Sequence, residues 1–157
     1  MKKITLFIIF ICFAGIIKGQ EEETNTSNLL QSQQFIFKVE RIFPISGVTK
    51  NVIAENYSLV IYNQNVDAHL PYYGEMHRPT YDRDAGIKID APHKKYTLTA
   101  PENKKYQEIK FDVSNRGEQF SFILQVYNEG KANLIINSSN RQTIRYSGKI
   151  KPVKNEK

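Results

Sequence analysis

The chain has a single cysteine, Cys12, and it lies in an N-terminal stretch that does not read as part of the folded domain. That scarcity excludes an internal disulfide, so stability has to come from an ordinary hydrophobic core. Long apolar runs are also missing. The longest, Ile4 to Ile17, falls short of the ~20 residues that a membrane-spanning helix needs. No helical period of apolar residues persists far enough to give a convincing long helix. A Gly-rich phosphate loop is lacking, and so is a Gly-x-Ser-x-Gly elbow, which leaves nucleotide and serine-hydrolase chemistry without a motif. The three histidines, His69, His77 and His93, are scattered at spacings that match no tight ligand motif even with Met76 added. No metal or other cofactor is therefore expected. There is no internal repeat and no low-complexity tract.

What is present at the start is an export signal. Met1-Lys2-Lys3 is basic, Ile4 to Ile17 is almost wholly apolar, and Lys18-Gly19-Gln20 leads into Glu21-Glu22-Glu23. This is the layout of a secretory signal peptide, with cleavage expected after the small residue Gly19. Ile11, standing immediately before Cys12, argues against lipid attachment there. The expected location is periplasmic or secreted, with no stable membrane span once residues 1–19 are gone. Their removal takes Lys2, Lys3 and Lys18 and no acid, so the formal net charge falls from +6 to +3. Half the apparent basicity belongs to the signal, and nucleic acid is not an expected partner.

Residues 20–33 read as a flexible polar leader, with Leu29 and Leu30 its only large apolar residues and a helical turn at its end. From Gln34 the period becomes two. Phe35, Phe37 and Val39 alternate with Ile36, Lys38 and Glu40, and Pro44 and Gly47 close the strand. Val52-Ile53 reads as a short strand. Tyr57 to Tyr62 is apolar on both sides and reads as central. Asn63-Gln64-Asn65 turns it into Val66 to Leu70. Ile87 and Ile89 begin another strand, which Ala91-Pro92 is expected to break before Tyr96 to Thr99. Ile109, Phe111 and Val113 follow. Phe120, Phe122, Leu124 and Val126 form the cleanest apolar stripe, and Ala132 to Ile136 and Ile144 to Ile150 complete the series. The prediction is an all-β domain over residues 34–151, with a charged tail at 152–157. About nine short strands form an antiparallel sandwich or a curled, barrel-like sheet, ending in a C-terminal meander.

One stretch breaks this rhythm: Leu70-Pro71-Tyr72-Tyr73-Gly74-Glu75-Met76-His77-Arg78-Pro79-Thr80-Tyr81. Pro71 has no backbone donor and should end the preceding strand. Gly74 suits a sharp turn. Loops of this length in a compact domain are usually functional or disordered. Its tyrosines offer flat faces with polar tips, and so Tyr72, Tyr73, His77, Arg78 and Tyr81 are candidate binding residues. The competing reading has Tyr72 or Tyr73 folding back to plug one end of the core. A second candidate is Asn140-Arg141-Gln142-Thr143-Ile144-Arg145-Tyr146-Ser147-Gly148. There Arg141, Thr143 and Arg145 are expected to share an outward face, opposite to Ile144 and Tyr146, and the forked donors of the two arginines suit carboxylates or sugar hydroxyls, so that Asn140, Arg141 and Arg145 are candidate binding residues.

These two stretches together resemble the secreted bacterial family catalogued as domain of unknown function 4251, over about Phe35 to Pro152. Its Leu-Pro-Tyr-aromatic-Gly motif is met here by Leu70 to Gly74, with Tyr73 in a place where Phe is common and Glu75 where Arg is common. The resemblance implies an exported β-rich domain and no activity. The leading expectation is therefore a non-enzymatic module that binds a small ligand or an envelope or secreted protein. The alternatives are a hydrolase using Glu75, Asp82, Asp84 and Asp90 on envelope or glycan substrates, and a structural domain without a ligand. Adjacency of the two motifs in the fold is the observation to look for, although joint packing of Tyr72 with Tyr146 would pair them with no ligand at all.

Overall fold

Alternating inward and outward side chains produce nine antiparallel strands in the computed structural model, which describes residues 26–78 and 86–153. They are β1 (Gln34–Phe43), β2 (Lys50–Asn51), β3 (Ser58–Tyr62), β4 (Asn65–Leu70), β5 (Ile87–Thr99), β6 (Tyr106–Asn115), β7 (Glu118–Tyr127), β8 (Lys131–Ser138) and β9 (Ile144–Pro152), with a 3-10 turn, Asn128–Gly130, between β7 and β8. From β3 to β9 each strand pairs with the next in sequence. β1 pairs with both β3 and β9, so eight strands close into a barrel, and β2 adds a short extra pairing on β1. Closure removes the exposed sheet edges that an open sandwich would have to protect.

The period-two pattern places the core inside. Phe35, Phe37, Leu59, Ile61, Ile109, Phe111, Phe122, Leu124, Leu134 and Ile136 are all buried. The expected stripe of β7 faces inward along its whole length, and the Phe122 ring stacks on Phe111 at 4.7 Å between centroids. Each such side chain contributes about 1.5–3 kcal/mol by leaving water. The last four strands form the expected meander, and the β6–β7 turn uses Arg116 and Gly117, both at positive φ.

Three local expectations need correcting. Ala91-Pro92 does not break a strand: Ile87 to Thr99 is continuous. Pro92 is tolerated because it sits where β5 passes from one neighbour to the other, opposite Asn65 at the last rung with β4, while His93 begins the pairing with β6. The bend comes two residues later, where Lys95 and Tyr96 oppose the single residue Phe111 and Lys95 takes a positive φ. The extra short strand is Lys50–Asn51 rather than Val52-Ile53, and Val52 is buried instead. β3 buries one face only, since Leu59 and Ile61 point in while Tyr62 is exposed, as closure into a barrel requires.

The connections divide the barrel into two ends. At one end the helical residues 26–31 dock: Leu30 is buried, and its carbonyl accepts a hydrogen bond from the Tyr96 hydroxyl at 2.8 Å. Burial pushes that hydroxyl above its ordinary pKa. The other end carries the connection at residues 44–57, residues 71–78 of the connection that follows β4, and the β8–β9 loop at 139–143.

Candidate functional site

β4 stops at Leu70 because Pro71 cannot donate to the next rung. The chain then folds across the barrel mouth. Tyr72 is buried there, and its hydroxyl lies 2.9 Å from the Glu75 carbonyl oxygen and 3.0 Å from that of Gln142. Burial raises the Tyr72 pKa, partly opposed by the guanidinium of Arg141. Gly74 is needed for steric reasons, since a Cβ at that position would stand 2.6 Å from the Tyr72 hydroxyl oxygen. Tyr146, fully buried on β9, donates its hydroxyl to the Pro71 carbonyl at 2.8 Å. Desolvation raises its pKa strongly. The plug reading of Tyr72 thus describes its position, and Tyr146 fastens it from below.

The two motifs are adjacent. The Gln142 amide donates to the Glu75 carbonyl at 3.0 Å, the His77 amide donates to the Asn140 carbonyl at 2.7 Å, and Met76 and Arg141 form an antiparallel bridge between them. Side chains join in, with Gln142 Nε2 donating to Glu75 Oε2 at 3.0 Å. Glu75 therefore serves the pairing in this chain.

Arg141 does not share an outward face with Arg145. It precedes β9 and turns into the barrel mouth, where it is 6% exposed. Its Nε donates to Glu118 Oε1 at 2.7 Å and its Nη2 to Glu118 Oε2 at 2.9 Å, the forked geometry that guanidinium and carboxylate favour. The Ser138 hydroxyl also donates to Glu118. The guanidinium lies 5.1 Å from the Tyr72 ring centroid and 5.9 Å from that of Phe120. Glu118 escaped the sequence reading, although a signal was there: it stands two residues before Phe120, at an inward position of the same stripe. A carboxylate in that position needs a cation.

Tyr73, His77, Arg78 and Arg145 lie on the surface. Tyr73 is 38% exposed, with the Lys50 ammonium 3.7 Å above its ring centroid. His77 and Arg78 are exposed, and the Arg78 amide reaches the Asn140 carbonyl at 3.3 Å. Asn140 is half-buried, and its amide donates to the Ser138 hydroxyl at 2.9 Å. Arg145 lies on the outer wall, in a depression shared with Phe43, Gln125, Asn133 and Ile135. Tyr81, Asp82 and Asp84 lie outside the described residues. Asp90, on the outer wall of β5, accepts from Asn65 Nδ2 at 2.9 Å. His69 packs against Tyr57, and His93 against Tyr96 and Phe111. Among the described residues, no three His, Cys, Asp or Glu side chains stand together as a metal site.

A closed antiparallel β-barrel with one end sealed by a buried Arg–Glu pair is the class that these features define. The chain belongs to the family described as domain of unknown function DUF4251, whose model matches residues 18–150. The fold is also similar to the crystal structure, at 1.95 Å resolution, of a DUF4251 family protein from Bacteroides eggerthii DSM 20697. That similarity has a TM-score of 0.64 at 17% identity, over 80% of this chain and 84% of that one. No curated protein matches the chain.

Proposed function

We propose that the chain is an exported, non-enzymatic interaction module that presents the loop-bearing end of its barrel to a ligand or protein partner in the envelope or the medium. The observation that carries this reading is where the exposed large apolar side chains lie. Among the described residues they are Ile45, Val48, Ile53, Tyr73 and Met76, and, apart from them, Tyr62. The first five sit on the two connections at one barrel end, which touch through Lys50 and Tyr73. Tyr62 is at the opposite end. Apolar groups gathered on one side of a soluble domain mark an interaction site. The buried plug beneath them supplies rigid support, which lowers the ordering cost of binding. On this reading Tyr73, His77 and Arg78 are presented to the partner, while Tyr72 and Arg141 hold the presenting loop.

The carboxylate-hydrolase alternative has less support. Glu75 is engaged by Gln142 and Asp90 by Asn65, so neither stands ready across a cleft as paired acid and base. The test is a photo-crosslinking residue placed at Val48, at Met76 and, as control, at Tyr62, in cells exporting the protein. A discrete adduct from the first two sites and none from the third is expected. Absence of an adduct at both loop sites, with the mature protein present outside the cytoplasm, would refute the proposal.

A further inference from the structure

We infer that the outer wall of the barrel over β7, β8, β9 and β1 is a second, separate binding site, and that its ligand is an acidic glycan chain carrying carboxylate or sulfate groups. A trough of about 670 Å³ crosses this wall, with Arg41, Lys105, Lys131, Lys149, Tyr127 and Asn133 among its lining residues. A smaller depression of about 300 Å³, holding Arg145, Gln125 and Phe43, continues it through the shared residue Asn133. The register makes the path continuous. Arg41 is opposite Ser147, Ser147 opposite Asn133, and Asn133 opposite Gln125, so one row of polar side chains runs across four strands. At about 4.8 Å per strand that row is about 14 Å long, a span that suits a short oligosaccharide.

Two features of the backbone shape the trough. Glu40 is an extra residue between Val39 and Arg41 in the pairing of β1 with β9, so two consecutive side chains face outward. Beside it β9 carries Gly148, where a Cβ would stand 1.9 Å from the Lys38 carbonyl oxygen. Close approach of the two strands at the barrel seam depends on that glycine.

Charge decides the ligand class. The two acids of the trough have cation partners: Glu129 lies 2.9 Å from Lys131, and Glu40 lies 3.9 Å from Lys149. Arg41, Lys105 and Arg145 have no ion-pair partner among the described residues, and all line the two depressions. Forked guanidinium donors take carboxylate or sulfate oxygens, amide side chains address hydroxyls, and the Tyr127 ring offers a flat face. Duplex nucleic acid carries one charge per ~1.7 Å, a density that this handful of cations does not match.

The test is calorimetric titration of the chain lacking residues 1–19 with an oligogalacturonate and with its methyl ester. Binding of the acid, weakening as salt rises, and no binding of the ester are expected. Arg41→Ala and Arg145→Ala, both exposed, should melt like wild type and each weaken binding roughly tenfold or more, the effect of one lost charge-assisted hydrogen bond. Lys94→Ala on the β5 wall, and Val48→Asp at the loop end, should leave glycan binding unchanged. No binding of the acid, equal binding of the ester, unaltered affinity in both arginine variants, or tighter binding of duplex DNA or anionic vesicles at the same salt would each overturn the assignment. Loss of binding in Val48→Asp would do so too, by merging this site with the loop end.

Discussion

Truncating Arg141 to alanine separates a structural role for the paired motifs from a ligand-binding one. In the native barrel Arg141 and Glu118 are each 6% exposed, and their side chains are joined by two hydrogen bonds. Removing the arginine leaves a carboxylate buried beside the Tyr72 and Phe120 rings, its cation gone and only the Ser138 hydroxyl bond remaining. Breaking a buried pair in this way costs about 3–5 kcal/mol. A domain of this size loses about 3–4 °C of melting temperature per kcal/mol, so Arg141→Ala should melt about 10–20 °C lower. Glu118→Ala should fall by a similar amount. The double variant Glu118→Leu/Arg141→Met should recover most of the loss, because it removes both charges and keeps the volume. Urea denaturation of the wild type, Arg141→Ala, Glu118→Ala and the Glu118→Ala/Arg141→Ala double variant closes the cycle that gives the coupling energy. A single Arg141→Ala variant melting within a few degrees of wild type would refute the structural account and return Arg141 to the binding residues.

The barrel seam makes a second prediction: Gly148→Ala pushes a methyl into the Lys38 carbonyl and should cost at least the ~1–3 kcal/mol usual for overpacking, read as a lower denaturation midpoint. Phe122→Ala, inside the barrel, should cost about 3–5 kcal/mol; Ser121→Ala, on the outer face, should stay within about 0.5 kcal/mol, and near-equal midpoints would contradict the register of β7. Alkali should unfold the protein in part through Tyr146, whose pKa burial raises above its unfolded value. The unfolded chain releases that proton near pH 10 while the native state keeps it. This contribution is therefore complete below about pH 10 and falls by about 1.4 kcal/mol per pH unit above it. In Tyr146→Phe the stability-against-pH curve should be flatter in that range, although the starting stability is lower.

Much of the fold was legible in the chain because period two is a local property. Phe120, Phe122, Leu124 and Val126 alternate with polar residues, and such a segment can bury its apolar side only as a strand. Pro71, Pro44 and Asn115-Arg116-Gly117 marked ends and turns for equally local reasons. Pro92 misled, because whether a proline breaks a strand depends on which neighbour needs its missing donor, and that is decided by strands distant in sequence. Barrel or sandwich was likewise undecidable locally: it turns on β9 returning to pair with β1, more than a hundred residues away along the chain. The two motifs could be seen to belong together, but not why. Only tertiary structure set Tyr146 beneath Pro71, brought Glu118 to Arg141, and so turned one expected surface arginine inward while leaving Arg145 outside. Single-chain periodicity carries the direction of a side chain within a strand. It does not carry the identity of the charge waiting across the barrel mouth, which is set by closure and by the cost of leaving a buried ion unpaired.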